Sequence, residues 1–344
     1  MIIGLIIVLI LILVLPFLFR TIEHNLEYFL LGMGILASII SGMISLDLMK
    51  DIFENYLLYF VTIAVLIAGF VFRFSVKGIK KFVSYCTEKI PIKLFIFLLI
   101  VVLGFVSSFI TAIIASLILV EIVSDFPLER KQKIHLTVIS CFSIGLGAVL
   151  TPIGEPLATI IVSSLKVDFF YLLRSLGIYI IPCILALGLF GAFYVGRNPT
   201  IEKSNIINQD NEKQTEEPKS IFIRAFKIFL FIIALELLGA GFKPLINAYI
   251  INLDSRLLYW INMVSAVLDN ATLAAAEISP AMSVKQIQAI IMGLLISGGM
   301  LIPGNIPNII SAGKLKIESH EWAKIGVPLG LILLFSFFII LFVF

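Results

Sequence analysis

Long apolar runs separated by short charged segments dominate the chain. Runs of a length to cross about 30 Å of hydrocarbon occur at residues 2–19, 28–46, 56–73, 134–164, 171–195, 220–241, 286–313 and 325–344, and each is predicted to be a membrane span. Two stretches resist that reading. Lys93–Val120 has no charge beyond its first residue and is longer than one span needs, yet too short for two spans and a loop; Ser107, Ser108 and Thr111 interrupt it. Leu257–Pro280 is interrupted by Asp269-Asn270-Ala271-Thr272. Both are predicted to be re-entrant hairpins, which a bilayer tolerates only where protein or water covers the irregular backbone.

The positive charges test this layout, because a hairpin returns the chain to its own side whereas two half-read spans would scramble everything downstream. With both termini outside, the segments near 20–28, 73–93, 124–134, 196–227 and 313–324 face the cytoplasm and hold 19 of the 25 Lys and Arg residues. Val76–Ile90 sets Ile79, Phe82, Val83, Cys86 and Ile90 on one helical face against Lys77, Lys80, Lys81 and Lys89, as expected of a helix lying on the membrane surface. The first apolar run lacks a basic start and is followed by Arg20 instead of a small-residue cleavage site, so it reads as a retained span.

The polar segment Gly196–Ser220 separates two halves that resemble each other. Leu165-Lys166-Val167-Asp168 and Arg174 recur as Leu315-Lys316-Ile317-Glu318 and Lys324, the tetrapeptide and Gly154/Gly304 at an offset of 150 positions. Val106-Ser107 at the first hairpin matches Val264-Ser265 at the second. Each half reads as span, hairpin, broken span, span. Three crossings per unit is an odd number, so the second copy enters the membrane inverted. The expected fold is an all-α polytopic membrane protein of about eight spans plus two hairpins: extra spans at 1–55, a first repeat at 56–196, a linker at 197–219 and an inverted second repeat at 220–344.

Composition agrees with a bilayer location and narrows the function. The chain is 60% hydrophobic and 14% charged, too apolar for a soluble domain with a polar surface. Its net charge of +3 is too mild for a nucleic-acid partner. Cys86, Cys141 and Cys183 have no metal-like spacing. No aspartyl pair, Ser-His pair or His-Glu-x-x-His helix marks an intramembrane enzyme, and no cofactor is expected beyond a bound sodium ion.

Candidate chemistry lies where Pro and Gly interrupt apolar runs, at Thr151-Pro152-Ile153-Gly154-Glu155-Pro156 and Pro303-Gly304-Asn305-Ile306-Pro307-Asn308. Proline removes a donor and clashes with the preceding turn, so the helix opens and frees carbonyls for cations and N–H groups for anions. Asp269 is the first candidate for a ligand shared by a cation and a proton, because a carboxylate within the membrane is costly unless hydrated, paired or protonated. Asn270 and Thr272, with Ser107, Ser108 and Thr111 from the other hairpin, offer the neutral oxygens that a hard cation such as sodium collects. Glu155 is the second carboxylate, with Asn305 in its place in the second half. Glu236 reads as a relay or as a partner of Lys243, while Glu121, Asp125 and Glu277 fall near hairpin ends at headgroup level.

These residues resemble the ion transporter superfamily, which contains NhaD-type sodium/proton antiporters, arsenite permeases and divalent-anion/sodium symporters. The resemblance covers the chain from about residue 92 onward. It rests on Leu268-Asp269-Asn270-Ala271-Thr272, on Thr151-Pro152-Ile153-Gly154 after Gly145 and Gly147, and on Gly304-Asn305-Ile306-Pro307-Asn308-Ile309-Ile310 before Lys314-Leu315. It is also similar to a small prokaryotic family described as cation transporters. The resemblance implies paired hairpins, unwound helices and a homodimer. The first hairpin departs from it, with Ser107-Ser108-Phe109-Ile110-Thr111 where many relatives carry Asn-Thr or Asp-Asn.

The expected function is a sodium/proton antiporter in the plasma membrane of a prokaryote, with Asp269 binding sodium and protons in alternation. The alternative is a transporter of arsenite or a carboxylate, received at opened helix N-termini; a channel built on the paired hairpins is a further reading.

Overall fold

A computed structural model describes residues 1–23, 25–56, 58–60, 62–63, 65–67, 69–71, 73–74, 78, 90–196, 218–266 and 270–343. Regular structure among them is helical, with no strand. The chain opens with α1 (Ile2–Leu18), α2 (Leu26–Ser41) and α3 (Leu46–Glu54). Most of the amphipathic stretch 76–90 and of the linker 197–219 lies outside the described residues, as does Asp269. Helix α3 occupies a stretch that the hydropathy pattern leaves between two spans. Ser45 starts it by accepting a 3.0 Å hydrogen bond from the Leu48 N–H, satisfying one donor that a helix start leaves open.

The first half continues with α4 (Ile92–Ile110), α5 (Ala112–Asp125), α6 (Arg130–Ala148), α7 (Pro156–Leu165) and α8 (Tyr171–Tyr194). The second runs through α9 (Pro218–Leu245), α10 (Ser255–Ile261), a 3-10 turn over Asn262–Ala266, α11 (Asn270–Glu277), α12 (Val284–Gly298), α13 (Ile306–Leu315) and α14 (Ser319–Phe342). Helices α4, α8 and α14 are long and apolar enough to cross a membrane. Ile178 and Phe193 on α8, and Ile332 and Phe335 on α14, are each more than half exposed, an apolar outer surface suited to lipid.

The runs 134–164 and 286–313 each divide into a long and a short helix at the Pro/Gly interruptions, α6 with α7 and α12 with α13. The first stretch predicted as a re-entrant hairpin has one arm long and apolar enough to cross the membrane by itself. That arm, α4, of 19 residues, rises about 28 Å at 1.5 Å per residue. The hydroxyls of Ser107 and Ser108 donate back to Gly104 O and Phe105 O, both at 2.7 Å, so these polar residues stay helical and the break waits until Thr111.

The matched sequences of the halves are helix stops. Helices α7 and α13 have ten residues each and end on Lys166 and Lys316, whose backbones adopt the left-handed conformation at φ 52°, ψ 44° and φ 52°, ψ 45°. The N–H groups of Val167 and Ile317 then reach back to Val162 O and Ala312 O, at 3.2 and 2.9 Å, a closure that satisfies carbonyls otherwise left open at a helix end.

Buried at the centre are α6, from Leu136 onward, and α12, from Ala289 onward. Small residues let them pack backbone against backbone. A Cβ added at Gly147 would lie 1.7 Å from Gly104 O of α4, and one at Gly293 would lie 2.6 Å from Tyr259 O of α10. The short helices cross over: α13 packs against α5 and α6, and α7 against α11 and α9. Each short helix therefore rests on helices from the other part of the chain.

Candidate functional site at the two opened helices

The first opening runs from Val149 to Glu155 and closes on Pro156, the first residue of α7, a position where a missing N–H costs nothing. Two contacts tie it to the first hairpin. The Thr151 hydroxyl donates to Ser108 O, and the Ala112 N–H donates to Gly154 O at 2.8 Å. Between α4 and α5, Thr111 has φ 76° and ψ 148°, a conformation that a β-branched residue adopts only under constraint. Its side chain caps α5 by accepting from the Ile114 N–H at 3.4 Å. The hydroxyl of Thr159, one turn into α7, donates to Pro152 O at 2.6 Å and clamps the opening from the far side.

At the second opening, Gly299–Asn305, the clamp is Asn308. Its amide donates to Gly298 O at 2.8 Å and Leu301 O at 2.9 Å. A Cβ on Gly304 would meet Ser265 O at 2.6 Å, so the opening lies directly on the 3-10 turn Asn262–Ala266. The Asn305 amide nitrogen stands 2.7 Å from the point where a Cβ on Gly145 would sit, and the Cys141 thiol lies 3.4 Å from Ser311 Oγ. The second opening thus abuts the last turns of α6, just ahead of the first.

Glu155 and Asn305 hold equivalent positions. Both are buried, both have extended backbone (φ −155° and −153°), and both immediately precede the helix that resumes after the opening. Neither side chain caps its own helix. A carboxylate at the start of α7 lies on the positive end of that helix, whereas in the second half a neutral amide occupies the corresponding end.

Of the residues singled out in the sequence, Ser107, Ser108, Thr111, Thr151 and Glu155 gather around the first opening; Asn305 and Asn308 form the second. Ser107 is a packing residue, its hydroxyl bonded to Gly104 O and, at 3.0 Å, to Ile144 O of α6. Asn270 is buried at the described start of α11, with its Nδ2 unpartnered. The Thr272 side chain, like Asp269, lies outside the described residues.

Around the second opening, Asn308 Oδ1, Ser265 Oγ and Asn262 Oδ1 are buried without a hydrogen-bond partner. Two of them flank one glycine: Ser265 Oγ is 3.6 Å from a Cβ position on Gly298, whose carbonyl accepts from Asn308. Buried polar atoms without partners are costly and ask for a ligand or water.

Sequence reasoning missed Thr159, Asn262 and Ser265. Their signal is present as polar residues inside apolar runs, but it is the signal that packing serines share. Glu277, read as a headgroup-level residue, accepts from Asn262 Nδ2 at 2.8 Å. Glu236, read as a relay or as a partner of Lys243, accepts at Oε1 from Asn55 Nδ2, at 3.0 Å, and from the Ser163 hydroxyl.

A family model matches residues 2–344, the whole of this architecture. The chain belongs to the family described as "Protein of unknown function (DUF1646)". A comparison with curated proteins found no match. Members of this family are therefore to be understood from the chemistry of the openings themselves.

Proposed function

We propose that this DUF1646 member is a secondary active transporter of the prokaryotic plasma membrane, exchanging a monovalent cation, sodium first, for protons. It works by alternating access between two inverted repeats, with both termini outside. The carrying observation is the pair of equivalent helix openings, one ending on buried Glu155 and the other on buried Asn305. A carboxylate that binds either a cation or a proton, but not both, couples their fluxes in opposite directions. Asp269, the first candidate in the sequence, is the other such carboxylate in this reading. The unpartnered oxygens of Asn308, Ser265 and Asn262 support it, because sodium needs several oxygen ligands and neutral ones suffice for most of them. The resemblance to the ion transporter superfamily points the same way.

A second reading draws on the helix starts. Helices α5, α7 and α13 all begin at the openings or the hairpin tip, and helix N-termini favour negative charge. An anion such as a carboxylate, or neutral arsenite, would be received at α13, where Asn305 leaves the positive end without a countercharge. Glu155 already supplies one at α7, which favours the cation reading.

The test is proton movement in vesicles containing the purified protein, followed with an internal pH dye while sodium, lithium, potassium or arsenite is added. Sodium- or lithium-driven proton flux that is lost in Asp269→Asn and Glu155→Gln, with folded protein retained, is the expected result. Arsenite or carboxylate uptake without cation-driven proton flux would replace it with the anion reading.

A further inference from the structure

A second polar site lies away from the openings, at the far end of α7. Thr159 and Ser163 are four residues apart within α7 and share one face of it, and Glu155 is the residue that precedes the helix, four before Thr159. Thr159, Ser163 and Ser164 line a small cavity of about 10 Å³ that Ile232 and Glu236 of α9 bound on the other side. That is room for about one water molecule. Asn55, the residue that ends α3, donates from Nδ2 to Ser163 Oγ at 2.7 Å and to Glu236 Oε1 at 3.0 Å. The Ser163 hydroxyl donates to the same oxygen. Two separate segments converge on one carboxylate, which α9 carries at a half-buried position.

Among the described residues, Glu236 is the one carboxylate lining this cavity. The charged groups on the surrounding elements are engaged elsewhere or displaced along their helices. On α9, Lys227 pairs with Glu27 of α2 at 3.3 Å, and Lys243 is exposed two turns on. On α3, Glu54 pairs with Lys50 at 3.7 Å. The face of α2 against α9 presents Gly34, Ala37 and Ser38, and α11 contributes Glu277, bonded to Asn262. Helix α7 itself brings Glu155 at one end and Lys166 at the other.

We infer that the Asn55–Ser163–Glu236 cluster is a proton-exchange site, passing protons between the water at the Lys166 end of α7 and Glu155 at its start. This deepens the exchange reading above and rests on it for its direction. A proton from water converts the Glu236 carboxylate to the acid. The Ser163 hydroxyl then turns to accept from that acid and gives its own hydrogen to cavity water, and the Thr159 hydroxyl repeats the step toward Glu155. Each carrier takes one proton and releases one. The net change is that Glu155 becomes neutral while Glu236 returns to the carboxylate, with no oxidation or reduction.

Three measurements decide it. Ser164→Cys places a thiol in the cavity wall; a charged, membrane-impermeant thiol reagent added to sealed vesicles should label it above the background of the parent protein. In flux measurements Glu236→Gln should slow proton exchange roughly tenfold or more, leave the half-saturating cation concentration unchanged, and alter the pH profile; Glu236→Asp should restore part of the rate. Infrared spectra of the parent minus Glu236→Gln should contain a carboxylic-acid band that grows on acidification. Failure of the thiol to label from either side, or wild-type rate and pH profile in folded Glu236→Gln, overturns the inference. If the parent protein shows no cation-driven proton flux, the exchange reading fails by itself. The infrared band then decides whether Glu236 takes up protons, and its absence overturns this site.

Discussion

The two openings are built to one plan and held differently. In the first, a single hydroxyl, Thr159, bonds Pro152 O, and a carboxylate ends the opening. In the second, the Asn308 amide bonds two carbonyls, of Gly298 and Leu301, and a neutral amide ends it. The helix that resumes after each opening thus clamps it with one hydrogen bond in the charged opening and two in the neutral one, while Thr151 and the Ala112 N–H tie the charged opening to the α4–α5 turn as well. In an exchanger, the opening that changes charge must tolerate two states, and the neutral one can serve as the fixed wall against which it moves. The contact between them is correspondingly soft on one side. The Asn305 amide, a side-chain tip, faces Gly145, whereas the neighbouring Gly147 faces the backbone of Gly104.

That contrast can be broken most sharply at those two glycines. Gly147→Ala would drive a Cβ into Gly104 O, and backbone cannot step aside, so α4 and α6 must separate at a cost of about 3 kcal/mol or more. We expect thermal unfolding in detergent at a much lower temperature, or loss of folded protein. Gly145→Ala meets only the end of the Asn305 side chain. Its stability loss should be under about 1.5 kcal/mol, while its half-saturating cation concentration rises. Equal stability loss for both variants would refute the distinction between a soft and a rigid neighbour.

The clamps come next. Asn308→Ala leaves two buried carbonyls without their donor and should cost about 2–3 kcal/mol, whereas Thr159→Val keeps the shape and loses one hydrogen bond, about 1 kcal/mol. Denaturation of the purified protein should rank them in that order; the reverse order would mean that the first opening is the rigid one.

The smallest effects lie at the surface. Arg130 reaches from the start of α6 to Lys316 O, the cap of α13, and to Glu321 of α14, both at 2.9 Å, while in the first half Arg174 pairs with Asp168 six residues away. Arg130→Ala should cost up to about 1 kcal/mol and Arg174→Ala less, since exposed ion pairs contribute little and local ones tie no elements together. Raising the salt concentration should shrink both effects.

Local features were legible along the chain. Pro152, Pro156, Pro303 and Pro307 mark the openings because proline cannot continue a helix whatever surrounds it. Leu-Lys-Val-Asp and Leu-Lys-Ile-Glu could be matched because each is a helix stop, encoded within a few residues. The start of α3 at Ser45 is equally local, but a nine-residue amphipathic helix is too short to stand out from hydropathy. Thr159 and Asn262 were not legible as site residues, and Glu236 was legible only as a relay or ion-pair candidate, because a polar side chain inside an apolar run acquires its meaning from a partner. For Glu236 those partners, Ser163 and Asn55, lie 73 and 181 positions away.

The sequence by itself determined that this chain is apolar and helical, where its helices open, and which polar residues those openings carry, since backbone sterics and the need to satisfy backbone hydrogen bonds act over a few residues. Only the tertiary structure decided that α7 and α13 cross to helices from the other part of the chain, that Asn305 rests on Gly145, and that Asn55, Ser163 and Glu236 meet. Those contacts depend on which small residues let two backbones approach, a property of pairs of helices that no single helix encodes.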